Sequence, residues 1–489
     1  MATLLDLVAA RADVAPERAA LVDAASGVPC SGAELHRRVT RRRHALYAAG
    51  IRPGDRVALL LPNAPSTIEL LLAIASLGAA AVPINLRWRA DEVDHLLADA
   101  APALLVADRE RLESLGPLPH RPRTLAPDAV GRAPTAHLPA PAGADPALIL
   151  YTSGTTGRPK GAVLTHRNLL ANAHAIVAWL GLGREDRVLT VMPLFHANAI
   201  VIGTICPLLA GGATLVADAF HASTFWSLAR RLRPTTAGTV PTMLSLLLAR
   251  ADVPPDATAS LRFLLTGSAP VPAELVTGFA ARFALPVLEG YGLTECTCRA
   301  TFNPTDGRHR PGSCGLPLAP LRIADERGEP VAPGAIGEIR VQGPHVMREY
   351  FRNPEATARA LEGGWLRTGD LGHQDADGFV HVVGRATDLI IRGGENVYPR
   401  EIEEVLYQHP AIVDAAVVGK PHHLYGEVVA AFVVADKARP LEPAAVDRWC
   451  RERLADYKCP VEIRIVDELP KGPTGKILKR PLRALVAPS

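Results

Sequence analysis

The chain contains no CxxC pair, no signal-peptide core, no marked excess of either charge and no uninterrupted apolar run of membrane-spanning length. Each absence excludes something. Seven cysteines (Cys30, Cys206, Cys296, Cys298, Cys314, Cys450 and Cys459) show no metal-ligand spacing. Cys296 and Cys298 read as two small residues lining a strand, and the pattern as a whole fits a reduced, cytoplasmic compartment. A net charge of +3 over 489 residues, with scattered arginines, gives no reason to expect nucleic acid as the main partner. The opening stretch "MATLLDLVAARADVAPERAALV" reads as an amphipathic helix, because Arg11, Asp13, Glu17 and Arg18 interrupt any secretory core. The most apolar long segment, Val57 to Leu86, is broken by Asn63, Pro65, Ser66, Glu69 and Pro83. It reads as strand, helix, strand, and no membrane span is expected.

An apolar content of 48% with 21% charged residues is that of a globular protein. The length suggests roughly two to four structural units. Val57–Leu61, Ala80–Ile84 and Leu104–Val106 are short β-like runs with helical stretches between them, which predicts βαβ units and a largely parallel sheet. From about Leu115 to Pro146 the chain is rich in Pro and Ala and reads as a surface connection. Alternation then resumes, with "LILYTS" and "GAVLTH" as strands and "RNLLANAHAIVAWLG" as a helix capped by Thr165. "RVLTVMPLF", "ATLVAD", "TTAGTVP", "RFLLTGSAP" and "PVLEGYGLTE" are strands ending in turns, with helices at Thr224–Leu232 and Ala273–Phe283. From about Gly312 short β segments with Gly/Pro turns predict a β-rich subdomain. After Arg385 the order helix, strand, strand, helix, strand reads as a separate α+β module. No internal repeat is visible.

The stretch "ILYTSGTTGRPKGAVLTH", Ile149–His166, places three Gly, four Thr, a Ser and a Lys between two apolar runs. Composition alone allows a flexible linker. The placement between strands, with glycines that free backbone N–H groups and a lysine for charge, suits a phosphate cradle. It is not a Walker A motif, because Gly161 follows Lys160 and the glycine spacing differs.

"YTSGTTGRPKG" resembles the phosphate-binding signature of the adenylate-forming (ANL) superfamily, which includes AMP-forming acyl- and aryl-CoA synthetases. "GYGLTE" (Gly290–Glu295), "WLRTGD" (Trp365–Asp370), "GRATDLIIRGGENVYPREIE" (Gly384–Glu403) and "PTGKILKR" (Pro473–Arg480) resemble further motifs of that family, in its order and over nearly the whole chain. The resemblance implies a large N-terminal α/β domain over 1–385, of αβαβα-type sheets plus a small β-rich subdomain. It implies a hinge at 386–388 and a small mobile α+β domain over 389–489. Thr387 stands where the family often has a charged or polar residue, and Asp388 follows, so the pivot itself stays open.

Residue by residue, the resemblance implies a nucleotide site built from Thr152, Ser153, Gly154, Thr155, Thr156, Gly157 and Lys160. Gly267, Ser268, Ala269 and Pro270 would wall the adenine, with Glu289, Gly290, Tyr291, Gly292, Thr294, Asp370, Val382, Arg385 and Lys476 completing the site. Tyr291 would pack on adenine, Asp370 would accept the ribose hydroxyls, and Arg385 would make a second ribose or phosphate contact. Glu295 and Thr155 would hold Mg2+, since a carboxylate beside nucleotide phosphates suits that ion. Lys476 would swing into the site and bridge the substrate carboxylate and α-phosphate, together with Thr294, Glu295 and His196 as catalytic candidates. The neighbouring Lys471, Lys479 and Arg480 read as surface charges.

The acid pocket implied by the same register is lined by His196, Asn198, Thr239, Val240, Gly267, Gly290 and Leu293. Malonate-type relatives carry arginine at the position of Gly290, and its absence argues against a small dicarboxylate. Arg299 reads either as a reader of a substrate anion or as a surface arginine. The implied reaction is AMP-forming carboxylate–CoA ligation, with ATP, Mg2+, CoA and a small carboxylic acid. Delivery of an activated carboxylate or another oxyanion to an amine or a separate carrier protein is the alternative, and a homodimer stays open.

Overall fold

The computed structural model describes residues 2–131, 137–152, 159–269, 271–472 and 476–486. Two seven-stranded sheets form its frame. The first runs, in spatial order, Val287–Gly290, Phe263–Gly267, Thr236–Gly238, Arg187–Thr190, Ala213–Val216, Ala19–Asp23 and Pro29–Ser31. All its pairings are parallel except the last. The second runs Glu349–Tyr350, Lys160–Thr165, Pro146–Thr152, Ala80–Pro83, Arg56–Leu60, Leu104–Ala107 and Thr124–Leu125. Its first two strands are antiparallel to their neighbours and the rest are parallel. Continuous apolar strands such as "RVALL" and "AAVP" fit this, since a parallel sheet covered on both faces has no polar side.

Helices fill the space between the sheets. Pro65–Ser76 starts on a proline in its first turn and is buried from Thr67 to Ser76. It touches strands of both sheets, and one apolar cluster joins Leu21 of the first sheet to Leu59 of the second. Helix His166–Leu180 begins where its sequence signal places it. Thr165 Oγ1 accepts from Asn168 N at 3.2 Å, and Asn168 Oδ1 accepts from Thr165 N at 2.8 Å, a reciprocal capping box.

The N-terminal stretch divides, with helix Leu4–Val14 followed by strand Ala19–Asp23. Pro16 lies between them and the apolar Ala20–Val22 run is buried in the first sheet. The Leu115–Pro146 connection is held to the body by Arg42. Its guanidinium donates to the carbonyls of Pro127 (3.0 Å) and Val130 (3.1 Å) and pairs with Glu69 at 2.9 Å.

A smaller sheet follows, built of Leu321–Ala324, Gly337–Val341, Trp365–Gln374 and Leu361–Glu362, with Val380–Arg385 pairing on Trp365–Gln374. The C-terminal module has its own sheet: Glu395–Val397, Ile390–Arg392, Gly426–Ala435 and Ile412–His422, with Glu462–Ile465 alongside Gly426–Ala435. Helices Pro399–Tyr407, Pro443–Arg451 and Lys479–Val486 cover it. Among the described residues no helix is long and apolar enough to cross a membrane.

Glu69 is 2% exposed, and its carboxylate meets both Arg42 and Arg38. Glu69→Ala leaves the buried Arg42 charge without its partner, an expected cost of about 3–5 kcal/mol. Urea denaturation of the purified variant checks this. A loss under about 1 kcal/mol would mean that the carbonyls of Pro127 and Val130 alone satisfy Arg42.

Candidate functional site

The sequence-derived candidates gather where the C-terminal ends of the first sheet meet the small sheet and the C-terminal module. Thr152 ends one strand and Lys160 begins the next, and the two residues face each other across the antiparallel pair. Ser153, Gly154, Thr155, Thr156 and Gly157 between them, and Pro270, lie outside the described residues.

Thr152 Oγ1 reaches Glu295 Oε1 at 3.4 Å, and the Tyr350 hydroxyl donates to the same oxygen at 2.7 Å. Lys160 Nζ lies over the Tyr350 ring, 5.0 Å from its centroid. Burial, and then the Glu295 charge, push the Tyr350 phenol pKa well up, so it remains a donor. The sequence reading missed Tyr350. Its only signal is the short strand Glu349–Tyr350, which pairs with Lys160–Thr165.

Glu295 does not follow directly on a strand. The strand closes at Gly290, and Glu295 occupies a 3-10 turn, Thr294–Cys296. Cys296 is in the same turn and Cys298 follows it, both buried, so neither lines a strand. Leu293 N donates to Cys296 Sγ, and Met347 N to Glu295 O, which fixes the turn. Among the described residues the hydrogen bonds to the Glu295 carboxylate all fall on Oε1. No described residue donates to Oε2, the oxygen on which a cation would be held. No cluster of three His, Cys, Asp or Glu residues fit to hold a metal occurs among the described residues. A divalent cation here would draw its remaining ligands from phosphate and water, the usual habit of Mg2+.

Asp370 is buried at the junction of the parts. It accepts from the Tyr291 hydroxyl at 2.7 Å and pairs with Arg385 Nε at 3.0 Å, while Asp370 and Arg385 are partners across two strands. Burial first, and then Asp370, raise the Tyr291 phenol well above its usual range. Val382 is half-buried two positions below Gly384 on the Arg385 strand.

Lys476 reaches this junction from the C-terminal module. It is open to solvent but flanked by protein on most sides. Burial first, then Arg385, lower its pKa below the usual lysine value, while Asp370 and Asp388 act the other way. The neighbours of Lys476 are not free surface charges. Lys471 pairs with Asp414 at 2.6 Å, and Lys479 pairs with the buried Glu403 at 2.7 Å. These pairs, with Gly472 N donating to Lys476 O and Leu478 N to Pro470 O, anchor both sides of the lysine's turn. Arg480 is exposed.

The row of strand ends beside the junction is made of glycine. A Cβ on Gly267 would lie 2.3 Å from Gly290 O, and one on Gly290 would lie 2.6 Å from Phe302 Cδ1. A Cβ on Gly292 would lie 2.1 Å from Cys298 O. Ser268 follows at φ +68, and Ala269 is half-buried. Glu289 has a buried Oε2 without a partner, and burial pushes its carboxyl up to about 8, opposed by Arg400.

His196 stands before a short helix at Ala197–Ile200, on a loop held by Asn63, which donates to Met192 O (2.9 Å) and accepts from Leu194 N (2.8 Å). Its Nε2 is buried without a partner, and burial, then Arg87, lower its pKa to about 4. The imidazole is neutral at neutral pH. Asn198 is 6% exposed with an unpartnered Nδ2, and its Oδ1 lies 2.7 Å from where a Gly238 Cβ would sit. Leu293 and Thr294 are half-buried and Val240 is buried. The Thr239 hydroxyl proton is already engaged, donating to Leu265 O at 2.8 Å, so the side chain has no donor left for a ligand. Arg299 is no surface arginine, being 2% exposed.

Comparison with known proteins agrees with this geometry. The model of the AMP-binding enzymes matches residues 8–351, and that of the AMP-binding enzyme C-terminal domain matches 401–476. Feruloyl-CoA synthase of Amycolatopsis sp is 40% identical, with 94% of each chain covered. Sulfoacetate–CoA ligase of Cupriavidus necator is 40% identical, covering 97% of this chain and 96% of that one. ATP-bound MatB from Rhodopseudomonas palustris superposes with a TM-score of 0.92 at 34% identity, over 99% and 98% of the two chains. Its apo form superposes at 0.83, so the arrangement here is nearer the ATP-bound one.

Tyr350→Phe keeps the ring beneath Lys160 and removes the donor to Glu295. A hydrogen bond to a charged group contributes about 1.5–3 kcal/mol, so Mg-ATP affinity should fall roughly 10- to 100-fold. Calorimetric titration measures it. An unchanged Kd would separate Glu295 from nucleotide binding.

Proposed function

The chain belongs to the AMP-binding enzymes, and from that premise we propose that it is an AMP-forming carboxylate–CoA ligase. The observation that carries this reading is the meeting of Lys476, from the C-terminal module, with the Asp370–Arg385 pair of the large domain. A carboxylate is a poor acyl donor because oxide is its leaving group. One carboxylate oxygen attacks the α-phosphorus of ATP and the bond to pyrophosphate breaks. The resulting acyl-adenylate has AMP as its leaving group. The CoA thiol then loses its proton, its sulfur attacks the acyl carbon, and AMP departs.

Each candidate has a task in that scheme. Thr152, Lys160 and the intervening hydroxyl and glycine residues hold the β- and γ-phosphates. Asp370 accepts the ribose hydroxyls, and Tyr291, whose hydroxyl already rests on Asp370, closes the adenine side. Glu295 offers its free Oε2 to Mg2+, which when bound neutralises phosphate charge. Lys476 places a localised ammonium between the acid's carboxylate and the α-phosphate, where charge develops during attack. Neutral His196, with Asn198, Val240 and Leu293, borders the acid.

Residues 1–385 act as the adenylation domain and 389–489 as a module that turns about 386–388 between the two half-reactions. Seven free, buried cysteines suit a cytoplasmic setting.

The test is to incubate the purified protein with Mg-ATP and a panel of aliphatic and aromatic acids, with and without CoA, and to read AMP, pyrophosphate and acyl products by mass spectrometry. A thioester formed only with CoA is the expected result. Acid-dependent pyrophosphate without thioester would redirect the acceptor, and ADP in place of AMP would overturn the reading. Lys476→Ala should slow adenylation by about 100- to 1,000-fold while ATP still binds. Normal pyrophosphate release by that variant would remove Lys476 from the chemistry.

The pH response has a definite sign. The ammonium form is the active one and its pKa is lowered, so kcat/KM for ATP should decline as pH rises, with a midpoint below 10.5. Lys476→Arg, whose charge does not titrate in that range, should lack this alkaline limb in its residual rate.

A further inference from the structure

Arg299 is among the largest fully buried side chains in the protein, at 2% exposed. Its backbone is locked by Asn172, which accepts from Arg299 N at 3.1 Å and donates to Arg299 O at 2.7 Å. The guanidinium lies 5.4 Å over the Phe302 ring. Nη1 donates to Cys298 O at 3.2 Å, while Nε and Nη2 are buried with no hydrogen-bond partner.

Two other deeply buried arginines are paired with carboxylates, and a third, Arg11, also has an unpartnered Nε but gives both terminal nitrogens to backbone carbonyls. Arg340, equally buried, meets Glu338 and Glu362, and Arg42 meets Glu69 and two carbonyls. Arg299 is in no ion pair among the described residues. An uncompensated buried guanidinium is costly, by several kcal/mol after relaxation. Arg340 has carboxylates, and Arg11 has carbonyls on both terminal nitrogens, whereas Nη2 of Arg299 has neither among the described residues.

The unpartnered atoms also have a shape. Nε and Nη2 form one edge of the guanidinium, the side-on fork that receives two oxygens of a single carboxylate or sulfonate. That edge faces the glycine strand ends. Nη2 lies 3.0 Å from where a Cβ of Gly267 would sit, and Gly267 pairs with Gly290 on the neighbouring strand. Lack of an arginine at position 290 therefore does not leave this place uncharged. Across the row, Asn198 fills the space above Gly238 and presents a further buried, unpartnered Nδ2. Glu289, on the same row of strands, makes no ion pair with Arg299 among the described residues; burial pushes its carboxyl up to about 8, with Arg400 and Arg299 acting the other way.

We propose that Arg299 is the specificity residue of the acid pocket, and that the acid activated here carries a second anionic group, a carboxylate or sulfonate, seated on the free Nε/Nη2 edge. This rests on the ligase reading, and it narrows that reading to one class of acid. The first carboxylate is adenylated while the second anion stays on Arg299, so both ends of the molecule are fixed by charge.

The test compares kcat/KM for thioester formation across dicarboxylates and sulfonated carboxylates of graded length, each paired with a neutral acid of equal length. Wild type, Arg299→Met and Arg299→Lys are assayed, with Mg-ATP binding and thermal unfolding as controls of folding. Wild type is expected to favour the anionic member of a pair by about 100-fold or more. Arg299→Met should abolish that ratio, and Arg299→Lys, which lacks the fork, should keep only part of it. Length dependence and the carboxylate and sulfonate arms identify which anion is read. A wild-type preference for neutral acids overturns the proposal while the ligase reading stands. Absence of acid-dependent AMP with every acid overturns the ligase reading itself. Should Arg299→Met fail to fold, the wild-type ratio alone decides.

Discussion

Asp370 is the point on which the parts of this molecule converge. Its two oxygens take the Tyr291 hydroxyl, beyond the end of the first sheet, and the Arg385 guanidinium, from the adjacent strand of the small sheet. Lys476 enters the same field from the C-terminal module. A single buried carboxylate with two such partners is satisfied only when both sheets are in register, because a hydroxyl donor and a guanidinium must arrive from different directions. The orientation of this carboxylate is thus set by how the sheets are joined.

Sterics at the strand ends impose the second constraint. Gly238 and Gly290 each leave a gap, filled by Asn198 and Phe302, while the space at Gly267 is closed by the Gly290 carbonyl oxygen with Arg299 behind it. The Gly267 backbone, at φ +155, turns in a way that side chains resist. Substitution at any of these positions therefore acts through the neighbour that fills the gap. The same absence of side chains admits backbone and ligand close to one another, the usual use of glycine where a chain meets phosphate or acyl groups.

Much of this was legible in the residues. Thr165 announces the cap of a helix, and the apolar runs from Val57 to Ile84 a parallel sheet, because each is a local pattern. The motifs around Tyr291, Asp370 and Arg385 likewise carry their chemistry in adjacent letters. What the sequence could not convey lies in long-range pairings. Tyr350 becomes part of the Glu295 cluster only because a two-residue strand adds to the sheet beside Lys160. Lys471 and Lys479 look like surface charges until Asp414, on strand Ile412–His422, and Glu403, on helix Pro399–Tyr407, are brought beside them by the folding of the module. Arg299 sits in a stretch whose spacing fits surface or pocket equally, and burial alone distinguishes the two. The 3-10 turn at Thr294–Cys296 escaped for a different reason: the apolar residues around it follow no strand period, and Thr297 reverses the chain at φ +69.

The distribution of contacts also bears on how one site serves two half-reactions. Within the C-terminal module, the turn bearing Lys476 is held on both sides by ion pairs and backbone hydrogen bonds, so the lysine moves only with its module. Between module and large domain, Arg400 donates to Val271 O at 2.9 Å. Near the linker, Arg483 grips Thr387 O at 2.9 Å and Asp388 at 2.7 Å, tying the linker to the last helix of the module. The contacts that orient Lys476 thus lie within its own module. The lysine itself stands between charges of both signs, with Arg385 lowering its pKa and Asp370 and Asp388 acting the other way.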